Sequence, residues 1–208
     1  MILTVLKTGG YSSKINPNMY YDPEHVQWIK KQCDKHMPHL PFYCLSDVQI
    51  DNVNTIELTD NLPGWWSKIE LFKYDDFIYI DLDTVILNDI SYLMELDGFN
   101  ALGSITKRID KTLNSGLMRV KGGYKKIYEN FSLSVTHKYK DNPKRLGDQG
   151  YIQDNIEDFK EIQKLYPRKF KSYSFDHLKS DNKPKCDVVI FHGKTKPWTV
   201  SHPWIPPL

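Results

Sequence analysis

The apolar positions along this chain follow two different periods. Short runs rich in β-branched and aromatic residues span 2–8, 42–45, 55–58, 77–87, 99–105 and 186–191, and each reads as a strand. Between them the spacing changes. Val26, Ile29, Lys30 and Cys33 lie at helical intervals, so the pattern predicts an amphipathic helix over 23–36, with Asp22 as N-cap and Pro23 at the first helical position. Residues 65–72 read as a second helix, Ser91 caps a short third, and residues 122–138 form a mixed helical segment. Residues 113–120 read as a polar turn entering a strand, and residues 146–152 open a helix with Asp148 near its N-terminal end. Residues 157–185 are basic and irregular, and the proline-rich end, 199–208, is expected to lie as a tail on the surface of a domain spanning 1–198. Strand, helix and strand joined by short links predict a single α/β domain, with a mostly parallel central sheet flanked by helices.

The run 77–87 departs from the others. It places Asp81 and Asp83 inside an apolar strand and returns to Val85-Ile86-Leu87. On a regular strand the two carboxylates point the same way. Two ionised carboxylates on one face repel, and burying either alone is costly. They are tolerable at the C-terminal edge of a strand, facing a crevice, with a hard divalent cation between them and an anionic ligand. Taken alone, Asp-x-Asp is more often a solvated acidic turn.

Composition narrows the classes. The 208 residues are 40% apolar and carry 13 tyrosines, 9 phenylalanines and 5 tryptophans, enough for a real core. No run of about 18 apolar residues occurs, so no membrane span is expected. The opening apolar stretch is too short for a signal peptide. Three scattered cysteines, Cys33, Cys44 and Cys186, indicate neither a zinc site nor a disulfide framework, and a reducing cytoplasm is the expected compartment. The net charge of +2 conceals an asymmetry: residues 1–103 sum to −8 and residues 104–208 to +10. A basic C-terminal half suits polyanions, a nucleotide diphosphate among them.

Three further segments join Asp81-Leu82-Asp83: Asn114-Ser115-Gly116, Gly147-Asp148-Gln149-Gly150 and His192-Gly193-Lys194-Thr195-Lys196-Pro197-Trp198. The order and content of the four resemble the GT-A-fold, nucleotide-sugar-dependent glycosyltransferases, in particular the glycogenin-like and bacterial lipopolysaccharide galactosyltransferase branch. The resemblance runs from the first strand to about Trp198. It implies a Rossmann-like GT-A domain and a metal-dependent transfer of a sugar from a nucleotide-diphosphate donor, a UDP-sugar by preference, to a hydroxyl of an acceptor, a glycan first. It implies that Asp81, Asp83 and His192 hold Mn²⁺ or Mg²⁺, one imidazole favouring Mn²⁺. Lys7, Thr8, Tyr11, Lys68, Leu82, Ser115, Gly116, Gly193 and Lys196 then fall at donor-binding positions. Asn114, Asp148 and Gln149 fall beside the transferred sugar, and the relatives retain anomeric configuration. One departure stands out: in the glycogenin-like pattern the histidine lies further upstream of the glycine, whereas here His192 abuts Gly193.

Other readings of the same residues are a phage-type glycosyltransferase acting on hydroxylated bases of DNA, a sugar-nucleotidyltransferase, and a non-catalytic sugar- or nucleic-acid-binding module. The second uses an N-terminal glycine-rich loop with an arginine, which Leu6-Lys7-Thr8-Gly9-Gly10-Tyr11 lacks. The intact Asp81, Asp83, Asn114, Asp148 and Lys196 argue against the third.

Overall fold

The computed structural model describes residues 1–9, 20–104, 112–140 and 146–208. The expected loop at 141–143 and the nucleotide-side position Tyr11 lie outside the described residues. Among the described residues, ten strands form two sheets. The larger has the order β3-β2-β1-β4-β7-β6-β8, from β1 (Ile2–Leu6), β2 (Phe42–Ser46), β3 (Asn54–Glu57), β4 (Asp76–Ile80), β6 (Gly98–Leu102), β7 (Asn114–Lys121) and β8 (Lys160–Glu161). The smaller has the order β5-β10-β9, from β5 (Thr84–Ile86), β9 (Phe170–Ser172) and β10 (Val188–Ile190). The run β3-β2-β1-β4 is parallel, and β7 lies antiparallel to both β4 and β6.

The central strands are apolar on both faces because both faces are covered. Successive side chains alternate sides. Ile2, Leu6, Ile78 and Ile80 therefore join the core that holds Val26, Trp28, Ile29 and Cys33 of helix α1 (Pro23–His36). Leu3, Phe77 and Tyr79 enter the opposite core with Trp66, Ile69, Leu71 and Phe72, from a run of 3₁₀ turns over Gly64–Lys73. Among the described residues of the second half, three short α-helices follow: α2 (Lys126–Glu129), α3 (Gly147–Asp154) and α4 (Ile162–Leu165). Cys33, Cys44 and Cys186 are buried free thiols.

Four expectations need correction. The run 77–87 is not one strand: β4 ends at Ile80, Asp81–Asp83 form a turn closed by the Thr84 amide donating to the Asp81 carbonyl at 3.2 Å, and β5 joins the other sheet against β10. The short helix Ser91–Glu95 is capped by the Asp89 carboxylate, which accepts from the Ser91 amide at 2.7 Å, rather than by Ser91 itself. Residues 157–185 hold β8, α4 and β9. The C-terminal segment does not lie on the surface throughout: Trp204 and Ile205 are buried in the α1-side core, and the Trp28 indole donates to the Pro206 carbonyl at 3.0 Å. An indole and a branched aliphatic chain outweigh the prolines around them, because burying large apolar surface dominates.

Candidate active site

The chain leaves the larger sheet for the smaller one at Asp81–Asp83, at the C-terminal ends of the parallel strands β1 and β4. Crevices at such crossover points are where open α/β sheets take their ligands. Register brings the other segments there. Ile80 of β4 faces Leu117 of β7, so Asn114-Ser115-Gly116 runs past the end of β4, and the Asp81 amide donates to the Gly116 carbonyl at 2.9 Å. Ile190 of β10 faces Thr84 of β5, which sets His192 and Gly193 beside Asp83. Helix α3 presents Asp148 and Gln149 from its first turn.

The resulting cavity encloses about 330 Å³. Of the residues singled out in the sequence, Lys7, Lys68, Asp81, Leu82, Asp83, Asn114, Ser115, Gly116, Asp148, Gln149, His192, Gly193 and Lys196 all line it. Thr8 is turned aside, its amide and hydroxyl both donating to the Asp47 carboxylate at 2.9 Å. Lys7 reaches the cavity wall, while its ammonium is held by Asp47 at 2.9 Å and by Asn61 at 2.8 Å.

Two ion-paired centres dominate the electrostatics. In the first, the buried Lys68 ammonium lies 3.1 Å from Asp81 Oδ1 and 3.2 Å from Asp148 Oδ2, and donates to Ser115 Oγ at 3.2 Å. Ser115 in turn donates to Asp148 Oδ2 at 2.7 Å, and the Tyr79 hydroxyl donates to Asp81. Burial alone would lower the Lys68 pKa, but the Asp148 and Asp81 carboxylates more than offset it and hold it above the usual lysine range. In the second, the Lys196 ammonium donates to Asp83 Oδ2 at 2.5 Å and the Tyr21 hydroxyl donates to the same oxygen at 3.1 Å. Burial, then the Asp83 charge, push the Tyr21 phenol well above its ordinary value, so it stays a donor.

Small residues allow the close approach. A Cβ on Gly116 would lie 3.0 Å from Asn114 Oδ1 and 3.1 Å from Asp81 Oδ2. Gly147 has φ +61°, and a Cβ there would meet the Trp65 ring at 2.8 Å.

The donor chemistry suits a hard divalent cation: two carboxylates and an imidazole line one cavity. Burial lowers the His192 pKa, which favours the neutral, ligating form. Among the described residues no hydrogen bond reaches Asp81 Oδ2 or Asp83 Oδ1, so each carboxylate keeps an oxygen for a ligand. The three groups are not drawn together within 4.8 Å, however, and His192 Nε2 faces Ser172 Oγ at 3.0 Å. The described group that does meet that spacing is Asp22, Glu24 and His25, beside the cavity-lining Tyr21. There His25 Nδ1 accepts from the Asp22 amide at 3.0 Å, which ties up that nitrogen.

Tyr21, Trp65 and Tyr79 also line the cavity, and none of them stands out in the sequence as a site residue. Tyr79 was within reach, since it lies two residues before Asp81 and so shares its face. Trp65, next to Trp66, reads as a core aromatic, and nothing local marks Tyr21.

The sheet order, the crossover and the cavity together define the GT-A glycosyltransferase fold. The galactosyltransferase LgtC, solved with donor and acceptor sugar analogues, superposes with TM-score 0.63 at 12% identity, over 95% of this chain and 88% of that one. The glycosyltransferase GlyE of Streptococcus pneumoniae TIGR4 gives 0.62 at 14% identity, over 97% of this chain and 57% of that one. The bifunctional glycosyltransferase WbbM gives 0.58 at 10% identity, over 95% and 46%. No family model and no curated protein sequence matches the chain.

Proposed function

We propose that this protein is a metal-dependent glycosyltransferase that moves a hexosyl or pentosyl group from a nucleotide-diphosphate sugar, a UDP-sugar by preference, to a hydroxyl of a glycan. The observation that carries the reading is the convergence of Asp81, Asp83, Asp148, Lys68 and Lys196 on one cavity at the crossover between the sheets. Asp81, Asp83 and His192 would hold Mn²⁺ or Mg²⁺. That cation supplies Lewis-acid stabilisation of the departing diphosphate. Lys196 and Gly193 hold the diphosphate, Lys196 as a point charge and Gly193 by leaving room for close approach. Asn114, Asp148 and Gln149 orient the donor sugar. A glutamine belongs to the active site of LgtC, and Gln149 lines the cavity here.

Configuration is retained in this reading. Asp81 and Asp83 are taken by the cation in this reading and Asp148 is ion-paired to Lys68, and no other carboxylate is among the described lining residues to take the acceptor's proton. The acceptor oxygen bonds the anomeric carbon as the bond to the diphosphate breaks, and the hydroxyl proton passes to the departing phosphate oxygen. The test is a panel of nucleotide sugars incubated with Mn²⁺, followed by release of the nucleoside diphosphate. Release from a UDP-sugar, lost on adding a chelator, supports the reading. No release from any donor overturns it.

A further inference from the structure

Each of the two turn carboxylates is held in the same way, by one ammonium and one tyrosine hydroxyl. Asp81 takes Lys68 and Tyr79, and Asp83 takes Lys196 and Tyr21. The two lysines are not equivalent. Lys68 is shared with Asp148 and Ser115, so it has a second partner whatever happens at Asp81. Lys196 has Asp83 as its one ion-pair partner among the described residues, with the Tyr21 ring 5.7 Å beneath it. Both members of that pair are about nine-tenths buried at the side chain, 9% and 10% exposed. The Lys196 amide donates to Thr199 Oγ1 at 3.0 Å, which anchors the backbone on which the side chain is carried.

We infer that Lys196 is an exchange latch that neutralises Asp83 in the ligand-free site and leaves it only when a diphosphate offers the ammonium a new anion, so that divalent cation and nucleoside diphosphate bind as a cooperative pair. The inference rests on the cation and donor roles proposed above. The physical reason is the cost of an unpaired buried charge. A cation arriving alone at Asp83 must displace Lys196 and leave a buried ammonium without a partner. A diphosphate arriving alone competes for Lys196 with a carboxylate 2.5 Å away and leaves Asp83 uncompensated. Arriving together they exchange partners, and every charge ends paired. Such coupling acts equally on both ligands, by a factor in the usual range of about 5 to 150.

Titration calorimetry of the whole protein with Mn²⁺, with UDP, and with each in the presence of the other tests this. The wild type is expected to bind Mn²⁺ at least about tenfold tighter when saturated with UDP, and UDP tighter by the same factor when saturated with Mn²⁺. Lys196→Met is expected to bind Mn²⁺ alone more tightly than the wild type, to bind UDP more weakly, and to lose most of the coupling. Lys194→Met removes the same charge from an exposed position two residues away, and is expected to leave bare Mn²⁺ affinity within about twofold. Thermal unfolding of each variant establishes that it is folded, and the wild-type coupling needs no variant at all. Independent binding of Mn²⁺ and UDP to the wild type overturns the latch and leaves the glycosyltransferase reading standing. Equal effects of Lys196→Met and Lys194→Met on bare Mn²⁺ affinity also overturn it, since general charge then accounts for the change. Binding of neither ligand to the wild type overturns both.

Discussion

Asp83 sits where removing charge and removing structure are separable. Its carboxylate meets Lys196 and Tyr21 at the wall of a cavity, not in the middle of the core. Asp83→Asn keeps an oxygen that accepts from both partners. Release of the nucleoside diphosphate is expected to fall at least about 100-fold, while the chain stays folded with a thermal midpoint lowered by about 10 degrees, because the buried Lys196 ammonium loses its counter-ion. Loss of the folded state on this change, seen by circular dichroism, would mark Asp83 as structural. Gly147 is the opposite case. Its positive φ, and the Trp65 ring 2.8 Å from where a Cβ would stand, leave no room for a side chain, so Gly147→Ala is expected to cost about 2 kcal/mol in urea unfolding. The polar residues that line the cavity were legible because their types are unusual in their surroundings: carboxylates in an apolar run, an Asn-Ser-Gly turn, lysines after His-Gly. Their partners were not. Tyr21 and Trp65 are ordinary aromatics until the fold brings them to Asp83 and Gly147.

The elements were legible where their pattern was local. Helix α1 begins and ends where Asp22-Pro23 and the apolar spacing place it. The break between β4 and β5 was not, because apolar residues continue on both sides of Asp81–Asp83 and only pairing with the distant β10 shows that the chain has changed sheets. A buried guanidinium fastens this region from below. Arg119 of β7 is fully buried and donates to the carbonyls of Leu93 at 3.1 Å, Met94 at 3.0 Å and Val120 at 2.9 Å, as well as to Asp76. It ties the short helix Ser91–Glu95 to the β4–β7 pair. Arg119→Leu would strand these carbonyls without donors. A loss of about 3 kcal/mol is expected in denaturant unfolding, and a loss below about 1 kcal/mol would show that water replaces the guanidinium.

At the scale of the whole molecule, both halves of the sequence line the cavity: Asp81, Asp83 and Lys68 come from the acidic half, and Asp148, His192 and Lys196 from the basic half. The C-terminal segment closes that arrangement from behind. Trp198 packs edge-on against His25 and Trp28, and Trp204 donates its indole N–H to the Ser180 carbonyl at 3.1 Å. Prolines made this segment read as a surface tail, and the long-range contacts that bury it leave no local mark. Trp204→Ala is expected to cost about 3 kcal/mol in denaturant unfolding, and an unchanged midpoint would show that the segment adds nothing to the core.

In the proposed reaction a divalent cation and a nucleoside diphosphate meet at Asp81 and Asp83. Crystals grown with Mn²⁺ and UDP and measured at the manganese absorption edge locate the cation. One strong anomalous peak in contact with both aspartates and with diphosphate oxygens is expected. A peak confined to Asp22, Glu24 and His25, or no peak beside residues 81 and 83, would contradict it.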